Sequence, residues 1–231
     1  DPADVAHRVE YPCVLKPLAL SASRGVIRAD DPAGFAAAFY RIGRILNDAY
    51  AGSLAGTGDC ILVEDYIPGT EVALEGLLDR GQLSVLALFD KPDPLQGPFF
   101  EETIYVTPSR LPALVQHAVT TATARAVTAL GLHDGPIHAE LRIDEKGPVI
   151  IELAARSIGG LCSRVLRFGL GIPLEELILR HALRLPIESL ERESRPAGVM
   201  MIPIPRAGRL RQVRGLEGAR SVPGIEDVTI T

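Results

Sequence analysis

Alternating and periodic apolar positions divide the chain into short strands and a few helices. Strand-like runs are predicted near residues 11–17, 25–28, 61–63, 71–78, 83–89, 99–107, 138–143, 149–153 and 197–204. Helical spacing predicts long helices from Asp31 to Ala51 and from Ser109 to Leu130, and shorter ones over 161–168 and 174–185. Strand-like pieces and turns are expected over 210–230, and residues 52–58 form a glycine-rich connection. The order is typical of an α+β fold, with antiparallel sheets and helices packed on one face.

A predicted hairpin at residues 138–156 places two acidic residues in otherwise apolar strands. Glu152 interrupts the second strand, and Glu140 lies on the first. If the turn pairs Ile143 with Val149, then Glu140 pairs with Glu152. Cβ atoms of directly opposed residues lie about 4.5–5.5 Å apart, so two carboxylates there repel each other unless a cation neutralises them.

The opposed carboxylates are compatible with a metal site or with a salt-bridge ladder. Hard oxygen ligands aimed at one point suit Mg²⁺, which takes one or two carboxylates and leaves room for substrate phosphates. Alternatively, both acids pair with Arg142 and Arg156 on the surface. The hairpin by itself does not decide between the two.

Lysine is scarce, and one lysine lies inside a predicted strand. The 24 basic residues include only three lysines, Lys16, Lys91 and Lys146. Because the chain uses arginine where it needs only positive charge, Lys16 calls for a specific role, whereas Lys91 and Lys146 lie in predicted loops. The segment Ser21–Gly25 that follows Lys16 is compatible with a phosphate-binding hairpin tip or with an ordinary solvated turn.

Composition and charge exclude several classes of protein. The chain has 231 residues, 47% hydrophobic content and a net charge of −5, which argues against a general nucleic-acid binder. No apolar run approaches the length of a transmembrane helix, and the charged N-terminus lacks a signal-peptide core. Three scattered cysteines predict reduced thiols in a cytoplasmic protein.

The ordered motifs resemble the ATP-grasp superfamily of carboxylate–amine ligases. Lys16 in Val-Leu-Lys-Pro resembles the strand lysine on the α/β-phosphates, and Ser21–Val26 resembles the phosphate loop. Glu64–Ile67 resembles the hinge that holds adenine, and Glu71 resembles the ribose-binding acid. The resemblance therefore implies ATP contacts from Lys16, Ser23, Arg24, Gly25, Glu64, Asp65, Tyr66, Ile67 and Glu71.

The same resemblance implies the metal and catalytic groups. Glu140 and Glu152 resemble the two Mg²⁺ carboxylates, with Mn²⁺ as a substitute ion, and Arg156 resembles the arginine that acts with Lys16 on the transferring phosphoryl group. The family commonly has Asn two residues after the second carboxylate, and Ala154 stands there in this chain. The substrate contacts expected from the resemblance are Glu102, Ser157, Gly159 and Gly160.

Three further stretches are most similar to the L-amino acid ligase branch: Phe-Phe-Glu-Glu-Thr, Glu-Leu-Ala-Ala-Arg-Ser-Ile-Gly-Gly and the residues near 205–210. The branch implies that ATP activates a carboxylate, such as that of an amino acid, as an acyl phosphate, which an amine converts to an amide or dipeptide. It also implies a small lid lobe at 1–66, a large lobe at 67–190 with ATP in the crease between them, and a truncated strand-rich segment at 191–231.

Alternatives to this function remain open. One is a bicarbonate-using enzyme of the biotin-carboxylase or carboxyaminoimidazole-synthase type, and another is a nucleotide-binding module without turnover, suggested by Ala154. The expected partners are small carboxylate and amine substrates, an N-terminal domain that is missing before Asp1, and a second copy in a homodimer. Neither nucleic acid nor a membrane is expected as a partner.

Overall fold

The computed structural model describes residues 1–50, 60–204 and 208–230. They form two units, Asp1–Met201 and Ile202–Thr231. The helices of the described ranges are α1 (Pro2–Ala6), α2 (Pro32–Tyr50), α3 (Ala113–Ala129), α4 (Leu174–Ala182) and α5 (Leu216–Arg220). The strands are β1 (Cys13–Pro17), β2 (Ile27–Ala29), β3 (Ile61–Asp65), β4 (Thr70–Asp79), β5 (Gln82–Asp90), β6 (Ile104–Thr107), β7 (Gly135–Asp144), β8 (Gly147–Ala154), β9 (Arg167–Phe168), β10 (Ile172–Pro173) and β11 (Ala197–Met200).

A small sheet, in the order β2-β1-β3, lies under α2. Asp31 begins this helix as predicted, because its side chain accepts the N–H of Gly34 at 2.7 Å and its carbonyl accepts the N–H of Phe35. Phe35, Ile42 and Leu46 recur at helical spacing and are buried against the strands. The sequence did not predict α1, whose Ala6 joins the same core.

A large antiparallel sheet has the order β11-β6-β5-β4-β7-β8. The α+β fold with antiparallel sheets is as predicted, and the central strand β4 is buried from Glu71 to Leu78, so both of its faces are covered. Val72 and Leu74 contribute to one core with α3, whereas Ala73 and Leu77 contribute to another with α4. Successive side chains point to opposite faces, which explains why neighbouring residues join different cores.

Several predicted elements are wrong in detail. The helix expected over 161–168 is a short 3₁₀ helix at Cys162–Val165 followed by β9. Helix α3 begins at Ala113 with Pro112 before it, and Ser109 bonds Asp90 instead of capping the helix. Within 208–230 the structure has α5 and no strand. The connection at 52–58 and part of the 205–210 motif lie outside the described residues.

The subdomain boundaries stay predictions, with one exception. Strand β11 falls in the predicted C-terminal segment 191–231, yet it pairs with β6 through Val199 and Tyr105 and so extends the large sheet to Met200. Among the described residues, no helix is long and apolar enough to cross a membrane.

Candidate active site

Strands β4 and β7 carry a column of polar residues on one face of the large sheet. Glu71 pairs with Arg142, Ala73 with Glu140, and Glu75 with His138. Because residues two apart in a strand share a face, all six lie on the same face as Leu77 of the core. The small Ala73 leaves room opposite Glu140 for charged groups from other segments.

The predicted opposition of Glu140 and Glu152 is confirmed, although by a different register. The turn pairs Ile143 with Pro148 and not with Val149. A bulge between Glu140 and Leu141 then restores the offset, so that Glu140 pairs with Glu152. Such a bulge adds one residue to a strand and redirects its side chains.

The extra residue of this bulge also joins the two sheets. The register skips Ile151, and its carbonyl oxygen accepts a hydrogen bond from Lys16 Nζ at 3.3 Å. The same ammonium forms a salt bridge with Glu64 of the hinge. Val14 of β1 pairs with Glu64 of β3, and Lys16 lies two residues after Val14, so the side chains of Lys16 and Glu64 lie on the same face of the sheet. The structure thus brings the predicted phosphate lysine, the hinge acid and the Glu152 strand together.

The donor set of Glu140 and Glu152 fits a hard divalent cation. Both residues offer carboxylate oxygens, and Glu152 is 57% exposed, so it is accessible from the crease. The salt-bridge ladder is not formed as predicted, because Arg142 pairs with Glu71 at 2.9 Å. Of the two arginines of that ladder, only Arg156 approaches an acid of the pair, 3.9 Å from Glu152, where both side chains are at least half exposed.

Lys91 is buried among three acids, and the sequence analysis assigned it no specific role. It follows β5, is 3% exposed, and its ammonium lies 2.8 Å from Glu71, 2.8 Å from Glu102 and 2.6 Å from Glu140. Its position beside Pro92 indicated a loop, which is correct, but that loop enters the core. The scarcity of lysine, applied to Lys16 alone, was the signal that could have found it.

The buried cluster shifts the protonation of its members. Burial opposes the charge of Lys91, but Glu140 and the two other acids outweigh it and raise the pKa of the ammonium. Burial also opposes ionisation of Glu140, yet the hydrogen bond from His138 and the charge of Lys91 lower its pKa. For Glu102, burial dominates and raises the pKa. Opposite charges therefore keep Lys91 and Glu140 ionised, although desolvation alone would favour their neutral forms.

The cluster includes Glu71, the acid predicted to bind the ribose. This carboxylate is 7% exposed, with one oxygen bonded to Lys91 and the other to Arg142 Nε. Arg142 in turn donates to the carbonyls of Ile67 and Leu95. Through Arg142, Glu71 links the hinge to β7, and its ribose contact stays a prediction.

The hinge itself, Glu64–Ile67, is partly used inside the protein. The N–H of Tyr66 donates to the Pro12 carbonyl at 3.1 Å, and the Ile67 carbonyl accepts from Arg142 at 3.0 Å. The Tyr66 ring lies under the Arg28 guanidinium at 4.1 Å. The Tyr66 N–H and the Ile67 carbonyl are therefore already engaged within the protein, and Arg28 covers one face of the Tyr66 ring.

The predicted phosphate loop is a turn between β1 and β2. Ala22 and Ser23 both have left-handed backbone angles, φ 57° and 54°. Gly25 has φ 82°, and a Cβ atom there would lie 3.1 Å from Pro17. Left-handed non-glycine residues concentrate at ligand clamps and switch regions, which is consistent with a binding loop. Arg24 is exposed at the tip.

Glu75 connects the predicted substrate loop to β7, the strand that carries His138 and Glu140. This carboxylate is fully buried and accepts the N–H of Ile158 at 2.9 Å. His138 lies between two acids, with Nδ1 3.5 Å from Glu75 and Nε2 3.5 Å from Glu140. Burial opposes protonation of the ring, but Glu140 and Glu75 raise the pKa of His138 to about 9. The loop with Ser157, Gly159 and Gly160 is thus tied to Glu140 through one chain of contacts.

A second cluster of potential metal ligands lies elsewhere in the described residues. Asp79, Asp134 and His181 place ligand atoms within 4.8 Å of one another. However, the guanidinium of Arg184 donates to both aspartates at 2.7 Å, so a cation already occupies the position between them. We therefore assign no metal to this cluster.

Comparison with known proteins gives this geometry a family. Residues 9–165, more than half of the chain, match the ATP-grasp domain model. The L-amino acid ligase of Bacillus licheniformis is 32% identical, with a TM-score of 0.75 over 95% of this chain and 53% of its own. The alanine–anticapsin ligase of Bacillus subtilis is 26% identical over 75% of this chain and 39% of its own length.

A third relative covers less of the chain. Carnosine synthase 1 of Gallus gallus is 35% identical over 109 residues, which are 47% of this chain and 12% of that protein. This chain spans about half the length of the Bacillus licheniformis ligase and less of the two others. With its match to the family model and the arrangement of Lys16, Glu140 and Glu152, the chain belongs to the ATP-grasp domain family.

Proposed function

We propose that the protein is an ATP-dependent carboxylate–amine ligase that joins amino acids or closely related substrates. The observation that carries the proposal is the meeting of Lys16 with the strand on which Glu152 opposes Glu140. This arrangement puts a phosphate-binding cation beside two carboxylates suited to Mg²⁺. The similarity to three ligases of amino acids supports the amide-forming branch.

Different residues of the chain bind the base, the phosphates and the metal ion. The hinge Glu64–Ile67 holds the base, while Lys16 and the loop with Ser23, Arg24 and Gly25 cover the phosphates. Glu140 and Glu152 would hold Mg²⁺ or Mn²⁺, which neutralises phosphate charge when bound. In this state Lys16 exchanges its contact with Glu64 for phosphate oxygens.

The residues that follow β8 act on the reacting groups. A substrate carboxylate oxygen attacks the γ-phosphorus, the bond to the bridging oxygen breaks, and ADP leaves. The amine nitrogen then attacks the acyl carbon, phosphate leaves, and the amine loses its proton. Arg156 is half exposed beside Glu152 and presents a fixed positive fork to the oxygens that gain charge.

The remaining predicted groups recognise the substrates. Gly159 and Gly160 are exposed and lie three and four residues after Arg156, and with Ser157 they offer backbone N–H groups to the acyl substrate. Glu102 lies at the edge of the Lys91 cluster, where it binds the amino group of a substrate. Reduced Cys13, Cys60 and Cys162 agree with a cytoplasmic location. The N-terminal substrate domain and a homodimer belong to the same proposal.

Glu152→Ala in the intact protein tests this function. We expect ATP turnover with pairs of amino acids to be abolished, because one carboxylate alone binds the metal weakly. Glu145→Ala, at an exposed acid in the β7–β8 turn, is the matched control and should leave turnover unchanged. Unchanged turnover in Glu152→Ala contradicts the metal assignment, and turnover that requires bicarbonate in place of an amino acid favours the carboxylase-type alternative.

A binding module without turnover is the second candidate, because Ala154 stands where the family commonly has Asn. Calorimetry of the intact protein distinguishes it. ATP binding without phosphate release, across a screen of amino-acid pairs and bicarbonate, supports the module and contradicts the ligase.

A further inference from the structure

Lys91 occupies a position that has the geometry of a cation site. Single oxygens of Glu71, Glu102 and Glu140 lie within 4.8 Å of one another, close enough to share one metal ion. The ammonium of Lys91 lies 2.6–2.8 Å from all three. Its three N–H donors thus meet three acceptors that come from three different segments of the chain.

The choice of lysine at this position is informative. The chain has only three lysines among 24 basic residues. A planar guanidinium presents a flat fork that suits one carboxylate, whereas an ammonium is a compact charge that donates in three directions. A buried ion cluster is also weak evidence for stability, because desolvation offsets its attraction. The residue type therefore fits a cation substitute better than a general stabilising contact.

Lys91 contacts one of the two carboxylate oxygens of Glu140. Lys91 and His138 both approach Oε1, at 2.6 Å and 3.5 Å. Because these contacts are made at Oε1, the ion shared with Glu152, the cross-strand partner, would bind through Oε2. Glu102, 23% exposed, is held by Lys91 through its own Oε1. One ammonium therefore fixes both the carboxylate proposed to bind metal and the carboxylate proposed to bind the amine.

We propose that Lys91 is a positioning residue that replaces a metal ion between Glu71, Glu102 and Glu140. It keeps divalent cations out of this cluster and directs them to the Glu140–Glu152 pair. This inference rests on the proposed function for the roles of Glu102 and Glu140. Its central claim, an internal cation in a latent metal site, is measurable without any substrate.

Lys91→Met removes the charge but keeps a similar side-chain length. Titration of the intact protein with Mn²⁺, followed by electron paramagnetic resonance without ATP, should show one additional bound ion per chain relative to the wild type. Lys146→Met, at an exposed turn lysine, is the matched control and should add none. Lys91→Arg keeps the charge and should also add none. Combining Lys91→Met with Glu102→Gln removes one ligand and should abolish the additional site.

Equal Mn²⁺ stoichiometry in folded Lys91→Met and wild type overturns the proposal. If Lys91→Met is unfolded without metal, Mn²⁺ should restore its circular dichroism, because a ligand of the native state alone stabilises that state. Failure of Mn²⁺ to restore the fold likewise overturns the proposal. Since no ATP or amino acid is present, these results are independent of the Glu152→Ala test, which decides the ligase activity separately.

Discussion

Gly69→Ala should show how tightly the nucleotide hinge is held to the strand that carries Glu140. Gly69 lies two residues after Ile67, at the start of β4, with φ +110°. A Cβ atom at this position would lie 2.1 Å from the carbonyl oxygen of Ile143 and 2.6 Å from its carbonyl carbon. These are backbone atoms of β7, so no side-chain rotation relieves the overlap.

The magnitude follows from a matched comparison. Gly147 has φ +115°, but a Cβ atom there would meet nothing within 4 Å. Both alanine substitutions place a side chain in a backbone region disfavoured by about 1–3 kcal/mol. Only Gly69→Ala adds a steric overlap, which in well-packed sites costs about 1–3 kcal/mol and occasionally more. We therefore expect Gly69→Ala to lower the free energy of unfolding by about 1–3 kcal/mol more than Gly147→Ala.

Urea denaturation of the two variants and the wild type measures this difference. Equal losses of unfolding free energy would refute the close approach of Gly69 to Ile143. In variants that remain folded, Gly69→Ala should also weaken nucleotide binding, because the shifted turn strains the contact of Arg142 with the Ile67 carbonyl. Gly147→Ala should retain the affinity of the wild type.

Two further predictions concern buried groups. Cys60 is exposed, whereas Cys13 and Cys162 are buried, and burial raises the pKa of the Cys162 thiol to about 12. A thiol reagent at pH 8 should therefore label Cys60 at least about 1,000-fold faster than Cys162 in the native protein. Equal labelling rates before urea is added would contradict the burial of Cys162. Glu75→Met removes the acceptor of the Ile158 N–H, whereas Glu75→Gln retains one. The Met variant should be about 1–3 kcal/mol less stable than the Gln variant and should show faster hydrogen exchange at Ile158. Identical exchange in both variants would show that other contacts hold the predicted substrate loop.

The local pattern of the chain determined the elements of the site. The hairpin and its two acids were predicted from the sequence, and an assumed turn pair of Ile143 with Val149 predicted that Glu140 and Glu152 oppose each other, which they do. The period of two of a strand also places Glu71 and Glu75 on one face of β4, because residues two apart in a strand always share a face. Helix α2 follows from Asp31 and its apolar spacing for the same reason: the signals lie within a few residues of one another.

The tertiary structure decided how those elements are used. The assumed pair of Ile143 with Val149 was wrong, and only the bulge at Ile151 brought Glu140 and Glu152 into register. Neither residue pattern nor propensity contains that offset, since bulges depend on how a strand bends against its neighbours. The same bulge exposes the carbonyl that Lys16 contacts from the other sheet.

The charge cluster shows the limit of sequence reasoning most clearly. Sequence alone established that lysine is rare, that acids interrupt the strands and that Lys91 lies in a loop, but it did not predict that Lys91 is buried among three acids. The acids that converge on Lys91 are Glu102, Glu71 and Glu140, which lie 11, 20 and 49 residues from it in the chain, and Arg142 takes the second oxygen of Glu71. Local pattern fixes which face a residue occupies, whereas the partner of a buried charge is chosen by the long-range packing that removes it from water.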